Sequence, residues 1–148
     1  MALAAFCEPG GAQPGAPGGW RVIVGLGVDA IDIPRVERLL GRYAGRAVAK
    51  LFTDREARYA GARPHPARHY AARLAAKEAA FKALAGNDLA RAIGWRDIEV
   101  VAGADGRPAL VLHGKAAKRA AQLRASRLSV TMTHADQSAV AVVILESD

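Results

Sequence analysis

The chain has 148 residues, the size of a single domain, and its 21 basic and 14 acidic side chains give a formal charge of +7. Hydrophobic residues make up 51% and charged residues 24%, which excludes a disordered chain. A single cysteine, Cys7, excludes a disulfide framework and a cysteine-based zinc site, and no apolar run reaches the ~20 residues that span a bilayer. We therefore expect a small, soluble, intracellular domain.

The chain begins with a segment that cannot bury a core. Residues 1–19 hold eight of the 22 Gly and Pro residues, which predicts a flexible extension, so the folded domain is expected to span residues 20–148. The apolar, β-rich run over residues 20–28 predicts a strand buried on both faces. Asp32 is expected to cap the following helix, with Pro34 in its first turn and apolar residues at helical spacing from Ile33 to Tyr43.

Helices and then strands follow. Thr53 and Glu56 predict the capping box of a second, short helix, and a long alanine-rich helix is expected over residues 67–85. Asp105-Gly106 is a strong hairpin signal. We expect strands at 96–102, 107–112, 128–133 and 138–145, and a helix at 114–124. This order predicts an α+β fold, a single domain in which a mostly antiparallel sheet packs against the long central helix.

The positive charge is concentrated in one part of the chain. Residues 35–73 hold ten basic and three acidic side chains, a net +7 that equals the excess of the whole chain. Such a run alone is most often a solvated helix face, but it also fits nucleic acid, an anionic ligand or an acidic protein partner.

The segment from Gly25 to Ala30 matches the dinucleotide-binding pattern G-x-G-x-x-G/A. The context argues against that function, because no parallel βαβ unit follows. Gly25 and Gly27 more simply predict a place where the backbone runs close to another element or to a ligand.

Two carboxylates stand out. Asp29 directly follows the apolar strand, where it could be a cap, an arginine partner or a cation ligand. Glu78 lies among alanines on the long helix, four residues before Lys82, and the pair could be a surface ion pair worth only ~0.3–0.5 kcal/mol. Together, Asp29 and Glu78 suggest a Mg²⁺ site, with Lys82 supplying charge for a phosphorylated ligand. His134 ends a strand, where a lone histidine is usually structural.

These motifs together resemble one family, the holo-(acyl-carrier-protein) synthases, over about residues 21–146. The similar segments are GLGVD at 25–29, FTDRE at 52–56, ARLAAKEAAFKA at 72–83, WRDIEV at 95–100, GRP at 106–108 and SVTMTH at 129–134.

The resemblance implies transfer of 4′-phosphopantetheine from coenzyme A to a serine of apo-acyl carrier protein, releasing adenosine 3′,5′-bisphosphate. By similarity, Asp29 and Glu78 hold Mg²⁺, Glu78 or a metal-bound water is the base, and Lys82 assists the leaving group. Thr133 and His134 line the coenzyme site, His134 counting among the catalytic candidates. The resemblance further implies a cytoplasmic homotrimer with active sites at its subunit interfaces, which docks the acidic helix of the carrier protein on Arg35 and Arg42.

The runner-up function is a basic nucleic-acid-binding module. It would need exposed aromatic side chains for stacking, whereas aromatic residues make up only 5% of the chain and none are interleaved with the basic residues. A non-catalytic homologue is a third possibility, against which Asp29, Glu78 and Lys82 argue. We therefore expect no nucleic acid and no membrane among the partners.

Overall fold

A computed structural model describes residues 20–148, except for the side chain of Ala44, so the expected extension over residues 1–19 lies outside the described residues. The elements in chain order are β1 (Val22–Asp32), α1 (Ile33–Leu51), α2 (Asp54–Gly61), α3 (Pro66–Leu84), α4 (Asp88–Arg91), a 3₁₀ turn (Trp95–Asp97), β2 (Ile98–Ala102), β3 (Pro108–Leu112), α5 (Gly114–Gln122), β4 (Arg127–His134) and β5 (Ser138–Ser147).

Two antiparallel sheets pack against the central helix α3. The larger has the strand order β1-β5-β4, and the smaller is the predicted hairpin of β2 and β3. The alanines of α3 from Ala75 to Ala83 are almost completely buried among the apolar side chains of β2, β3 and β5, and those from Ala67 to Ala72 are buried against α1 and α2. The predicted fold class is therefore confirmed, with two separate sheets where one was expected.

The two glycines of β1 let the strand touch the helix backbone. A methyl group on Gly27 would overlap the carbonyl oxygen of Ala79, and one on Gly25 would overlap that of Ala83. Because neither position has room for a side chain, β1 and α3 approach more closely than ordinary packing allows. The predicted close approach to another element is confirmed.

The prediction that the first strand is buried on both faces is wrong. Val22, Leu26 and Val28 are 58%, 61% and 55% exposed, whereas Gly27 is buried against α3. Helix α3 covers only one face of the sheet, and the alternation of side chains along β1 places Leu26 and Val28 on the other face, while Val22 lies near the strand end, before a register shift between Ile23 and Gly25.

The helix ends also differ in detail from the prediction. Asp32 occupies the cap position of α1, but its side chain makes no capping hydrogen bond, so its predicted role is wrong. The Ile33 N–H instead donates to the Gln137 carbonyl at 2.9 Å, which satisfies one free donor of the first turn. The capping box of α2 is confirmed, with the Thr53 N–H donating to Glu56 Oε2 at 2.8 Å. Within residues 20–148, the structure contains no helix that could cross a membrane.

Candidate functional site

An ion pair forms where β1 meets the last turn of α3. Lys82 Nζ donates to Asp29 Oδ1 at 2.8 Å and to the Val28 carbonyl at 2.8 Å. The Asp29 side chain is 17% exposed and points to the helix side of the sheet, as Gly27 does, while the lysine is 54% exposed. The arrangement anchors the ammonium group and leaves Asp29 Oδ2 without a partner from Lys82.

Glu78 lies within the electrostatic reach of this pair. Burial and, after it, the negative charge of Asp29 raise the pKa of Glu78, while Lys82 and Arg35 act in the opposite direction. Among the described residues, no basic group lies within ion-pair distance of Glu78. The surface ion pair between Glu78 and Lys82, which their four-residue spacing allows, is therefore not formed. The three residues singled out by sequence are brought together, and Lys82 pairs with Asp29 instead.

The two carboxylates fit a hard divalent cation. Mg²⁺ is commonly bound by one or two protein carboxylates, with phosphate oxygens and waters completing its octahedron. Burial and, after it, the negative charge of Asp29 disfavour the ionised form of Glu78, and a cation between the two carboxylates would offset both effects. Within residues 20–148, no group of three or more His, Cys, Asp or Glu side chains is placed to hold a metal. A cation here would therefore rely on a ligand's oxygens.

Glu78 lines a cleft of about 460 Å³ between α1 and α3. Arg35, Arg38 and Arg42 line it from α1, where all three are exposed. The remaining walls are mainly apolar, and they are formed by Ile31, Val36, Leu39, Tyr43, Leu51, Leu74 and Trp95. The cleft therefore combines mainly apolar walls with three exposed arginines and one carboxylate.

Thr133 and His134 lie elsewhere in the same copy of the chain. Both line a second, smaller pocket of about 140 Å³, separated from Asp29 by the width of β5. His134 shares the helix side of the sheet with Ala139, whereas Thr133 pairs with Val140 on the open face. A single copy therefore does not bring these two residues together with Glu78.

The charged residue of this second pocket, Arg73, was not predicted from the sequence. Arg73 is only 5% exposed, its Nε atom has no hydrogen-bond partner, and its guanidinium lies 4.0 Å from the centre of the Tyr59 ring. His69 also lines the pocket, with its ring 6.4 Å from that of His134. The signal that could have drawn attention to Arg73 is its position as a charged residue among the alanines of α3.

Comparison with known proteins agrees with this geometry. The sequence model of the 4′-phosphopantetheinyl transferase superfamily matches residues 25–143, which include the Asp29–Glu78–Lys82 cluster and both pockets. The chain belongs to this superfamily. The match begins at Gly25, the first of the two glycines on which α3 packs, and ends within β5.

Relatives in this superfamily match nearly end to end. The holo-[acyl-carrier-protein] synthase of Koribacter versatilis is 39% identical over 125 residues, 84% of this chain and 99% of that protein. The synthase of Geobacter sulfurreducens is 43% identical over 125 residues, 84% of this chain and 98% of its own length. A crystal structure of the Bacillus anthracis synthase in complex with CoA (3′,5′-ADP) superposes with a TM-score of 0.68 at 29% identity, covering 85% of this chain and 98% of that one.

Proposed function

We propose that this protein transfers the 4′-phosphopantetheine group of coenzyme A to a serine of apo-acyl carrier protein. The carrying observation is the cluster of Asp29, Lys82 and Glu78, which brings together two carboxylates and an anchored ammonium group, with Glu78 lining a cleft that also holds three arginines. The relatives named holo-[acyl-carrier-protein] synthase and the neighbour solved with CoA support this choice of substrates.

Asp29 and Glu78 are the residues that would hold Mg²⁺. When bound, the cation would neutralise negative charge on the pyrophosphate of coenzyme A. Asp29 Oδ1 is engaged by Lys82, which leaves Oδ2 for the cation, and the half-buried Glu78 has no competing ion pair among the described residues. The donor set supports Mg²⁺ rather than zinc, because hard oxygen ligands favour it.

The reaction exchanges one oxygen–phosphorus bond for another. The serine oxygen of the carrier protein attacks the phosphorus that bears pantetheine, and the bond from that phosphorus to adenosine 3′,5′-bisphosphate breaks. The serine proton must leave, and Glu78 is the candidate acceptor because its carboxylate lines the cleft along which the carrier protein would dock. Lys82, held by Asp29, stabilises the negative charge that develops on the departing bisphosphate. Catalysis thus rests on positioning and charge neutralisation.

The second pocket is proposed to hold a phosphate group of coenzyme A. Arg73 supplies its positive charge with His69 beside it, and the unpartnered Arg73 Nε is a buried donor without an acceptor. A phosphate oxygen would provide that acceptor. His134, at the end of β4, and Thr133 line the same pocket. His134 therefore stands as a coenzyme-binding residue in this proposal.

Arg35 and Arg42 are proposed to dock the carrier protein. They lie seven residues apart on α1, which is about two helical turns, and both project along the cleft that ends at Glu78. An acidic helix laid along α1 would meet both guanidinium groups and deliver its serine toward Glu78. This docking gives a role to part of the positive charge of residues 35–73.

The open face of the large sheet supports a homotrimer with shared active sites. Leu26 and Val28 of β1 lie on this face with Val142 and Ile144 of β5, and an apolar sheet face of this kind calls for a covering surface. A neighbouring copy could then bring its own second pocket to this copy's Glu78. Native mass spectrometry should show a trimer, and Leu26→Glu should dissociate it, whereas a monomeric wild-type protein would contradict the assembly.

The proposed function is tested by incubating apo-acyl carrier protein with coenzyme A, Mg²⁺ and this protein. Intact-mass spectrometry should show the carrier gaining one phosphopantetheine group. The absence of that increment with every bacterial-type carrier tried would overturn the proposal. We place the reaction in the cytoplasm, and that location remains a prediction.

A further inference from the structure

Lys77 is a fully buried lysine that the proposed chemistry does not use. Its side chain is 0% exposed, and its ammonium group contacts three acceptors inside the protein. Nζ pairs with Glu56 Oε2 at 2.8 Å and donates to the carbonyl oxygen of Trp95 at 2.8 Å and to that of Ile98. Because an ammonium group has three donors, every one of them is used.

The partner carboxylate extends this connection to two further elements. Glu56 is also 0% exposed, and it accepts the Thr53 N–H at the start of α2 and the Val100 N–H of β2 at 2.9 Å. The Lys77–Glu56 pair thereby joins α2, α3, β2 and the 3₁₀ turn at one point inside the core.

The pair is connected to the candidate active site in two ways. Lys77 directly precedes Glu78 on α3, so its three contacts fix the rotation and the axial position of the turn that carries that carboxylate. It also holds the backbone of Trp95, whose side chain lines the cleft beside Glu78 and packs edge-on against Phe81 at 4.9 Å. The carboxylate and one wall of its cleft are therefore positioned by the same ammonium group.

A buried ion pair is not explained by stability alone. Desolvation of two charges commonly offsets their attraction, so apolar residues of similar volume often serve the fold equally well. Reaction rates, in contrast, are sensitive to displacements of ~1 Å in the groups that surround the substrate. We propose that Lys77 is a positioning residue for phosphopantetheine transfer, which sets the location of Glu78 and of the Trp95 wall. The inference rests on the proposed function.

The test must remove the ammonium group without leaving a buried charge. Lys77→Met alone would strand Glu56, so the variant of choice is Lys77→Met/Glu56→Gln, in which the new amide still offers an acceptor to the Val100 N–H. The matched control is Arg91→Met/Asp88→Asn, which deletes an exposed ion pair of α4 that lines neither pocket. Both are made in a Trp20→Phe background, because Trp20 and Trp95 are the two tryptophans and Trp20 is 92% exposed.

Two readouts separate positioning from folding. We expect circular dichroism to show that the double variant is folded. Its kcat should fall about 10-fold or more, with little change in KM for either substrate. The fluorescence emission of Trp95 should shift to the red. The control should match the wild-type protein in all three. A folded double variant with an unchanged kcat or unchanged Trp95 emission would overturn the inference. Lys77→Gln/Glu56→Gln, in which the amide at position 77 keeps two N–H donors and no buried charge is left, should recover part of kcat.

Other outcomes are equally decisive. If neither Lys77→Met/Glu56→Gln nor Lys77→Gln/Glu56→Gln folds, Lys77 serves folding alone and the inference is wrong. If the wild-type protein transfers nothing, the proposed function is overturned, and the Trp95 emission still reports whether Lys77 sets the wall of the cleft.

Discussion

Asp29 and Lys82 form a 2.8 Å ion pair that joins the end of β1 to the last turn of α3. This pairing leaves Glu78, one helical turn before Lys82, free of the ion pair that its spacing would favour. The consequence is a division of roles. Asp29 holds the Lys82 ammonium group in place, while the pKa of Glu78 stays raised. The close approach of β1 and α3 at two glycines makes the division possible.

Replacing Lys82 with methionine should impair transfer much more than it impairs folding. The ion pair is partly exposed, and such pairs contribute only about 0–1 kcal/mol to stability. We expect kcat to fall about 100-fold, because a charge aimed at the leaving bisphosphate is lost. Lys118→Met, at an exposed lysine of α5, is the control and should keep both kcat and melting temperature. Equal kcat values in the two variants would refute the role of Lys82.

Gly27→Ala should destabilise the fold. The added methyl group would overlap the Ala79 carbonyl oxygen, so β1 must move away from α3 at a cost of about 1–3 kcal/mol or more. The matched control is Gly41→Ala in α1, where an added methyl group meets nothing and alanine favours the helix by up to about 1 kcal/mol. Thermal unfolding should therefore move in opposite directions for the two variants. Equal melting temperatures would show that the contact between β1 and α3 is not tight.

Arg42→Glu should weaken docking of the carrier protein without impairing the chemical step. Arg42 is exposed at the rim of the cleft, and its pairing with an acidic helix is electrostatic. We expect KM for the carrier to rise about 10-fold or more at low salt, with kcat and KM for coenzyme A little changed. The difference from the wild-type protein should shrink as ionic strength is raised, since salt screens exposed charges. A KM independent of this charge would place docking elsewhere.

Coenzyme A should bind more tightly as the pH falls. Burial, followed by the positive charges of Arg73 and Arg63, lowers the pKa of His69 below its usual 6.5. A bound phosphate favours the protonated imidazole, so binding takes up a proton and weakens as the pH rises past the lowered pKa of His69. Titration calorimetry should show this slope in the wild-type protein and a flatter one in His69→Gln. Identical slopes would exclude His69 from the coenzyme pocket.

Without the ligand, the same histidine should lower stability in mild acid. Its pKa is lower in the folded than in the unfolded chain, so the unfolded chain binds more protons as the pH falls through 6.5. The wild-type protein should therefore lose stability below this pH relative to His69→Gln, as measured by urea unfolding, and parallel pH profiles would contradict the assignment.

Much of the fold could be predicted from local patterns in the sequence. The Thr53–Glu56 capping box, the Asp105-Gly106 hairpin and the alanine-rich central helix are short-range signals, and the structure contains all three elements. The exposure of Leu26 on β1 could not be predicted in this way. The sequence pattern of an apolar strand is the same whether its second face is covered by a helix of its own chain or by another surface.

The candidate site was predicted less completely than the fold. Asp29, Glu78 and Lys82 could be found because charged groups beside apolar runs are conspicuous, and the structure brings them together. Their pairing could not be found, because it depends on the register between a strand and a helix 53 residues apart. The contacts of Lys77 and Arg73 could not be predicted for a similar reason. Helical spacing can place a charged residue on the buried face of a helix, but its partners are set by the fold.

The account is tested most directly by intact-mass spectrometry of one apo-carrier protein treated with coenzyme A by the wild-type protein and by Glu78→Gln, each with Mg²⁺ and with EDTA. We expect the phosphopantetheine increment only with the wild-type protein and Mg²⁺. Glu78→Gln should stay folded, because no ion pair of Glu78 is lost and crowding of negative charge beside Asp29 is relieved. Full modification of the carrier by Glu78→Gln, or by the wild-type protein in EDTA, would contradict the proposed site.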